Sequence, residues 1–94
     1  MKVAWTRLAL NDLDSAYDHI SDENPSAAVR TIERIRKALE AVSRHPEIGR
    51  SGRVEGTREL IIPGTPFIVA YRAKAKRIEV LSVIHGARRW PDEL

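Results

Sequence analysis

Cysteine is absent from this chain of 94 residues, so it can form no disulfide and offers no thiol nucleophile. No segment approaches the ~20 consecutive apolar residues that a membrane-spanning helix needs. No signal-peptide pattern precedes the first apolar segment. We therefore expect a cytoplasmic protein that does not act at a membrane. At this length the chain should form a single domain, residues 1–94, with a thin margin of stability.

Sequence patterns of several cofactor sites are also missing. No Gly-rich phosphate loop precedes a helix, and no nucleophile-elbow pattern occurs. The three histidines, His19, His45 and His85, lack the close spacing of zinc ligands. We interpret His19 and His45 as structural or surface residues, since one lies in an acidic helix and the other at a helix end that favours a cation. Neither a metal nor another cofactor is expected.

Charge is divided unevenly along the chain. Residues 1–47 hold seven Lys/Arg against eight Asp/Glu, a net −1, whereas residues 48–94 hold nine against five, a net +4. The basic half would suit an acidic partner or nucleic acid. Alternatively, these side chains only keep the protein soluble and blunt strand edges.

The first half of the chain predicts one strand and two helices. Residues 2–6 alternate as a strand, and Thr6 offers an oxygen that caps the next helix. Asn24 followed by Pro25 begins a second helix, which His45-Pro46 ends. The predicted core stripes are Leu10, Leu13, Tyr17 and Ile20 on the first helix, and Ala28, Ile32, Ile35, Leu39 and Val42 on the second.

Charges on the two predicted helices favour an antiparallel hairpin. The first helix is acidic and the second mostly basic, so opposite charges should line the seam between them. On the second helix, Glu33 with Lys37 and Glu40 with Arg44 are i,i+4 pairs in the favourable order.

The second half predicts a loop over residues 49–56 and then three strands, at 58–62, 67–73 and 77–85. The order β-α-α-β-β-β indicates an α+β domain in which a helical hairpin covers one face of a mainly antiparallel four-stranded sheet. These strands are apolar on both sides, so their second face should also be covered. A partner protein, self-association, or the helix ends and C-terminal tail would each provide the cover.

Residues 56–91 resemble the RelE/ParE toxin superfamily, especially its ParE-like and plasmid-stabilisation branch. The resemblance is carried by Gly56-Thr57-Arg58-Glu59-Leu60, by Thr65-Pro66-Phe67-Ile68-Val69-Ala70-Tyr71-Arg72, and by His85-Gly86-Ala87-Arg88 with Trp90-Pro91. It implies the same α+β fold and the toxin of a type II toxin–antitoxin system, which inhibits growth when free. The cover of the sheet is then a cognate antitoxin in a hetero-oligomer, with Ile61, Phe67, Leu81 and Val83 as its contacts.

The superfamily divides over activity. RelE-like members cut messenger RNA on the ribosome with basic side chains, whose positions correspond here to Glu59, Ile61 and Ile68. None of these is basic. Arg88 does match the arginine after the last strand, but the terminal tyrosine would fall near Leu94. If this chain is nonetheless a nuclease, the candidate catalytic residues are His85, Arg88 and Tyr71.

ParE-like members instead poison DNA gyrase through a protein contact, and the resemblance is closer to them. Arg88, Arg89 and Trp90 are then the candidate target-binding residues, because Arg and Trp are enriched at interface hot spots. Alternatively, Trp90 packs back on the sheet. A third possibility is a degenerate, non-toxic member that acts only as a binding module.

Overall fold

A computed structural model describes residues 1–86 together with Trp90 and Pro91. In it, two helices pack on one face of a mixed sheet. The elements are β1 (Lys2–Trp5), α1 (Arg7–Glu23), α2 (Pro25–Arg44), β2 (Arg50–Ser51), β3 (Arg58–Ile61), β4 (Phe67–Lys74) and β5 (Arg77–His85). The predicted α+β class is confirmed. In the described part of the chain, no helix is both long and apolar enough to cross a membrane.

The sheet has five strands where the sequence predicted four. Its order is β1-β5-β4-β3-β2, with β1 parallel to β5 and every other neighbouring pair antiparallel. The additional strand, β2, is only two residues long and lies in the segment predicted as loop. It pairs Arg50 with Glu59 and Ser51 with Arg58.

Both helices begin as their capping residues predict. The Oγ1 of Thr6 accepts a hydrogen bond from the Ala9 N–H at 3.1 Å, and the Oδ1 of Asn24 accepts one from the Ala27 N–H at 3.1 Å. Each bond satisfies a backbone donor that a helix start leaves without a partner. The single residue Asn24 therefore ends α1 and starts α2, which makes the hairpin tight.

The core stripe of α2 is confirmed, whereas that of α1 is partly wrong. Ile32 is half-buried and the other predicted stripe residues of α2 are buried. On α1 the buried residues are Ala9 and Ala16, and Leu10 and Tyr17 remain 46% and 38% exposed. Small alanine side chains let the helix lie close to the sheet, while Leu13 and Ile20 pack partly buried against the core.

The close ion pairs of α2 are made by Arg36 and not by the predicted partners Lys37 and Arg44, although the charge of Lys37 also lowers the pKa of Glu33. Arg36 bridges Glu33, at 2.9 Å, and Glu40, one turn to either side on the same helix. The Arg36 hydrogen bond and charge lower the pKa of Glu33. Within residues 1–86, 90 and 91, no ion pair joins α1 to α2. Packing, not charge, therefore holds the hairpin together.

An irregularity in β5 fixes α1 against the sheet. Tyr71 faces Val80 and Ala70 faces Ser82, so Leu81 is an extra residue, a β-bulge. Strand β1 ends beside Val80, and α1 supplies the hydrogen bonds beyond that point. The Asp12 carboxylate accepts from the Ser82 hydroxyl at 2.7 Å and from the Val83 N–H at 2.9 Å. The first helix thereby replaces a missing strand neighbour.

Candidate functional site

Tyr71 is fully buried, and its hydroxyl has a structural role. It donates to the Pro46 carbonyl at 2.7 Å and accepts from the Gly49 N–H at 2.9 Å. Burial raises the pKa of Tyr71, although the bond from Gly49 opposes this. A side chain on Gly49 would place its Cβ 2.6 Å from the Tyr71 Oη, so the loop can approach only because residue 49 is glycine. Tyr71 thus anchors the chain that leaves α2.

His85 lies at one end of the β4–β5 pair, whereas Tyr71 lies near its middle. On β4, Phe67 pairs with His85, while Tyr71 pairs with Val80. Four residues of extended strand separate the two positions, about 13 Å. The structure therefore does not bring these two candidate catalytic residues together. The third, Arg88, lies outside the described residues.

A polar cleft of about 620 Å³ surrounds His85 between α1 and the ends of β4 and β5. Asp12, Ser15 and His19 line it from α1. The His85 ring meets Phe67 edge-on, with centroids 5.7 Å apart. Sequence spacing gave no reason to group His19 with His85, and only the docking of α1 on β5 unites them. Residues 1–86, 90 and 91 contain no cluster of three or more His, Asp or Glu side chains that would hold a metal.

Trp90 packs back on the second face of the sheet. Its indole lies against Ala70, Leu81 and Ile84, and its Nε1–H donates to the Glu59 carboxylate at 2.8 Å. The other oxygen of Glu59 accepts from the Arg50 Nε at 2.6 Å. Leu81 and Ile84 are buried, so at this place the second face is covered by Trp90 of the same chain, which is one of the covers that the sequence left open. The other two predicted target-binding residues, Arg88 and Arg89, lie outside the described residues.

Of the four predicted antitoxin contacts, Ile61 alone is exposed, to 53%. Phe67 and Val83 are buried in the core between the helices and the sheet, and Leu81 is buried in the cluster against which Trp90 packs. The structure therefore does not place the four on one free surface.

Ile61 opens into an apolar cavity of about 570 Å³, which we call the α2–β3 groove. Apolar side chains of α2, of β3 and of the loop between them form its walls, and Arg34 and Lys37 are its charged lining. The pairing of β2 with β3 extends only as far as Arg50, the first residue of β2, which lies opposite Glu59. Because the backbone groups of alternate residues in a strand point the same way, the Ile61 N–H and C=O point toward the same edge of the sheet as those of Glu59. In the described chain no strand covers that edge beyond Glu59. The groove thus adjoins an open end of the sheet.

Comparison with known proteins decides the family. A family profile described as the ParE toxin of the type II toxin–antitoxin system parDE matches residues 3–90. The chain belongs to this family. It is 38% identical over 93 residues to a Sinorhizobium fredii protein named as a candidate toxin, Y4kP, covering 99% of this chain and 96% of that one. It is 29% identical over 87 residues to the toxin RelE2 of Caulobacter vibrioides, covering 93% and 97%.

A solved structure carries the same fold. A chain of the chromosomal ParDE toxin–antitoxin system from P. aeruginosa superposes with a TM-score of 0.80 at 31% identity, over 90% of this chain and 95% of that one. This member of the ParE family is therefore the toxin of a type II toxin–antitoxin system, and such a system implies a cognate antitoxin as its partner.

Proposed function

We propose that this ParE family toxin inhibits DNA gyrase through a protein contact and does not cut messenger RNA. The observation that carries the proposal is Glu59. At this position the resemblance implies a lysine in nuclease members, whereas here a carboxylate holds Trp90 and Arg50. A negative charge would destabilise the phosphate of a cleavage transition state, which is the reverse of what catalysis needs.

The placement of the candidate acid–base residues supports the same proposal. General acid–base catalysis requires groups within hydrogen-bond reach of one reacting site. The Tyr71 hydroxyl is committed to Pro46 and Gly49, and His85 is at the far end of the strand pair. At the two other positions where the resemblance implies a basic residue in nuclease members, this chain has Ile61 on β3 and Ile68 on β4. A toxin with this sheet is better suited to contact a protein than to cleave RNA.

Induced expression of the toxin without its antitoxin tests the target. We expect growth arrest with filamentous cells, translation intact at first, and loss of supercoiling by purified gyrase in the presence of the toxin. Trp90→Ala should weaken this inhibition, and circular dichroism must show that the variant folds, because Trp90 also packs on the sheet. Ribosome-dependent messenger cleavage that Arg88→Ala or His85→Ala abolishes, with gyrase unaffected, would instead establish the nuclease. Normal growth with both processes unchanged would indicate the non-toxic binding module.

We further propose that the antitoxin docks in the α2–β3 groove. The groove combines an apolar wall with a basic rim, and an extended segment would pair with the open edge at Ile61. Acidic side chains on that segment would meet Arg34 and Lys37. Ile61 is the central contact of this arrangement because it is both exposed and at the edge.

Ile61→Arg should therefore free the toxin from its antitoxin. We expect cells that express both proteins to arrest growth, because the arginine places a charge in the apolar wall that the antitoxin would cover. The toxin itself should still fold, since Ile61 is exposed. Val54→Arg is the control, since Val54 is 50% exposed but lies outside the groove. Co-purification with the antitoxin measures binding directly. Unchanged co-purification of Ile61→Arg would place the antitoxin elsewhere.

A further inference from the structure

One end of the sheet carries a row of positive charges on the face opposite the helices. Lys2 of β1 pairs with Arg77 of β5, and Arg77 pairs in turn with Lys74 of β4. Directly paired residues of neighbouring strands point to the same face, so these three cations form one row across three strands. That face is the second face, because Lys74 lies four residues along β4 from Ala70, which belongs to the cluster under Trp90.

The next row of the sheet adds one cation and one carboxylate. Arg72 pairs with Glu79, whose partner on the other side is Ala4. One oxygen of Glu79 accepts from the Arg72 Nε at 2.6 Å, and the other accepts from the Arg77 Nη2 at 2.9 Å. The hydrogen bond from Arg72, together with that from Arg77, lowers the pKa of Glu79. Both arginine side chains nevertheless remain about half exposed, at 44% and 53%.

We call the exposed cations of this region the basic end, which consists of Lys2, Arg72, Lys74, Lys76 and Arg77. With the carboxylate of Glu79 they amount to a net charge of +4, whereas the whole chain carries +3. The remainder of the protein is therefore net −1. The three lysines form no ion pair with any residue that the structure describes. The positive charge of the protein is thus concentrated at the basic end.

Protection of a sheet edge does not account for this row. Like charges directly opposite on neighbouring strands are destabilising, yet Arg77 has a lysine on each side. Arg77 also lies on β5, which has β1 and β4 as its neighbours, so it blunts no open edge. A row of like charges that weakens the sheet and guards no edge indicates a ligand of opposite charge.

The composition of the two rows fits a polyanion better than a protein surface. Protein interfaces centre on aromatic and large apolar side chains, but these rows contain no apolar side chain larger than that of Ala4. From Lys2 to Lys74 the row spans two strand spacings, about 10 Å. This length covers about three successive phosphates of a nucleic-acid strand, at ~3.4 Å each.

A duplex fits the basic end better than a single strand does. The rows hold no aromatic side chain on which an unpaired base could stack. A duplex also presents about one phosphate charge per 1.7 Å of its axis, which is twice the density of one strand. Lysine and arginine contacts to phosphates position a nucleic acid without reading its bases. Binding at this surface should therefore be independent of sequence.

We infer that the basic end binds the phosphate backbone of duplex DNA. The choice of DNA over duplex RNA rests on the proposed function, because gyrase supercoils duplex DNA and the toxin would meet that DNA at its target. The attraction to phosphates itself rests only on the residues of the basic end. Ile61 lies on β3, outside the basic end, so the inference does not depend on where the antitoxin docks.

Fluorescence anisotropy of a labelled duplex of about 20 base pairs, titrated with the full chain, tests the inference. No gyrase is present. We expect saturable binding at about 50 mM salt, and equal affinity for a duplex of scrambled sequence. The logarithm of the binding constant should fall with the logarithm of the salt concentration with a slope of about −3, as for three or four phosphate contacts.

Three variants locate the contact. Lys74→Gln should weaken DNA binding roughly 10-fold at this salt concentration and reduce the salt slope by about one. Arg30→Gln is the control, because it removes the same charge from an exposed residue of α2, in the other layer of the protein, and should leave the affinity nearly unchanged. Glu79→Gln should instead strengthen binding, since it removes the carboxylate that holds Arg72 and Arg77. Circular dichroism checks that all three fold.

Four results would overturn the inference. Absence of binding at about 50 mM salt would remove it outright. Equal losses in Lys74→Gln and Arg30→Gln would show that DNA responds to net charge and not to the basic end. A polyglutamate peptide that binds more tightly than the duplex would make an acidic protein the partner, and tighter binding of duplex RNA would replace DNA. A toxin that binds DNA through Lys74 but leaves supercoiling intact would count against the gyrase assignment alone.

Discussion

Replacement of Leu39 by alanine should lower the free energy of unfolding by about 2–5 kcal/mol. Leu39 is buried at the middle of α2, in the cluster that joins both helices to the sheet. Its truncation removes buried methyl groups and leaves a cavity that rigid neighbours fill only in part. Because small domains have a free energy of unfolding of only about 5–15 kcal/mol, the loss on Leu39→Ala would be a large share of the total stability.

Leu10→Ala is the matched control for this prediction. It deletes the same atoms from the neighbouring helix, but Leu10 is nearly half exposed. We expect a change within roughly 1 kcal/mol, and alanine's better helix propensity offsets part of it. Urea unfolding of the two variants measures the contrast. Similar losses for both would mean that α1 packs on the sheet through Leu10 and not through Ala9 and Ala16.

Tyr71→Phe should cost roughly 1–3 kcal/mol, because it leaves the Gly49 N–H and the Pro46 carbonyl without their buried partner. Tyr17→Phe removes an identical hydroxyl from an exposed tyrosine and should change little. Toxicity of Tyr71→Phe should persist at temperatures where it is folded, since the hydroxyl is structural. Loss of toxicity from a fully folded Tyr71→Phe protein would show that the hydroxyl has a functional role.

The same tyrosine makes stability depend on alkaline pH. Burial raises the pKa of Tyr71 in the folded state above the unfolded value of about 10. The contribution of the protonated Tyr71 hydroxyl to the free energy of unfolding is therefore complete below pH 10, and it is lost as the pH rises through the folded-state pKa. Tyr71→Phe should remove this part of the alkaline loss, and Tyr17→Phe should retain it. Urea unfolding at pH 8 and at several values above pH 10 would measure the difference.

The fold was largely predictable because its strongest patterns are local. Capping by Thr6 and Asn24 and the stripe of α2 depend on neighbours in sequence, and the structure confirms them. Strand β2 was not predictable, since two exposed residues carry no alternation. On α1 the apolar arc is wider than the contact with the sheet. Periodicity alone therefore could not say whether Ala9 or Leu10 faces inward.

The candidate site was harder to predict, because it depends on register and on distant contacts. The pairing of Tyr71 with Val80, and not with a residue nearer His85, is set by a bulge that no local pattern reveals. The union of His19 with His85 depends on how α1 docks, and the contact of Trp90 with Glu59 joins residues 31 positions apart. Sequence identified the chemically notable residues but not which of them meet.

The position of β1 has a consequence for how this toxin is made. Lys2 pairs with Arg77, 75 positions later, so β1 lies against β5, the last of the described strands in chain order. Such distant pairing forms only after the intervening chain is available, and ribosomes add about 5–20 residues each second. The sheet therefore cannot close until β5 has been synthesised. A chain that stops after β4 but before Arg77 leaves both β1 and β4 without their shared neighbour β5.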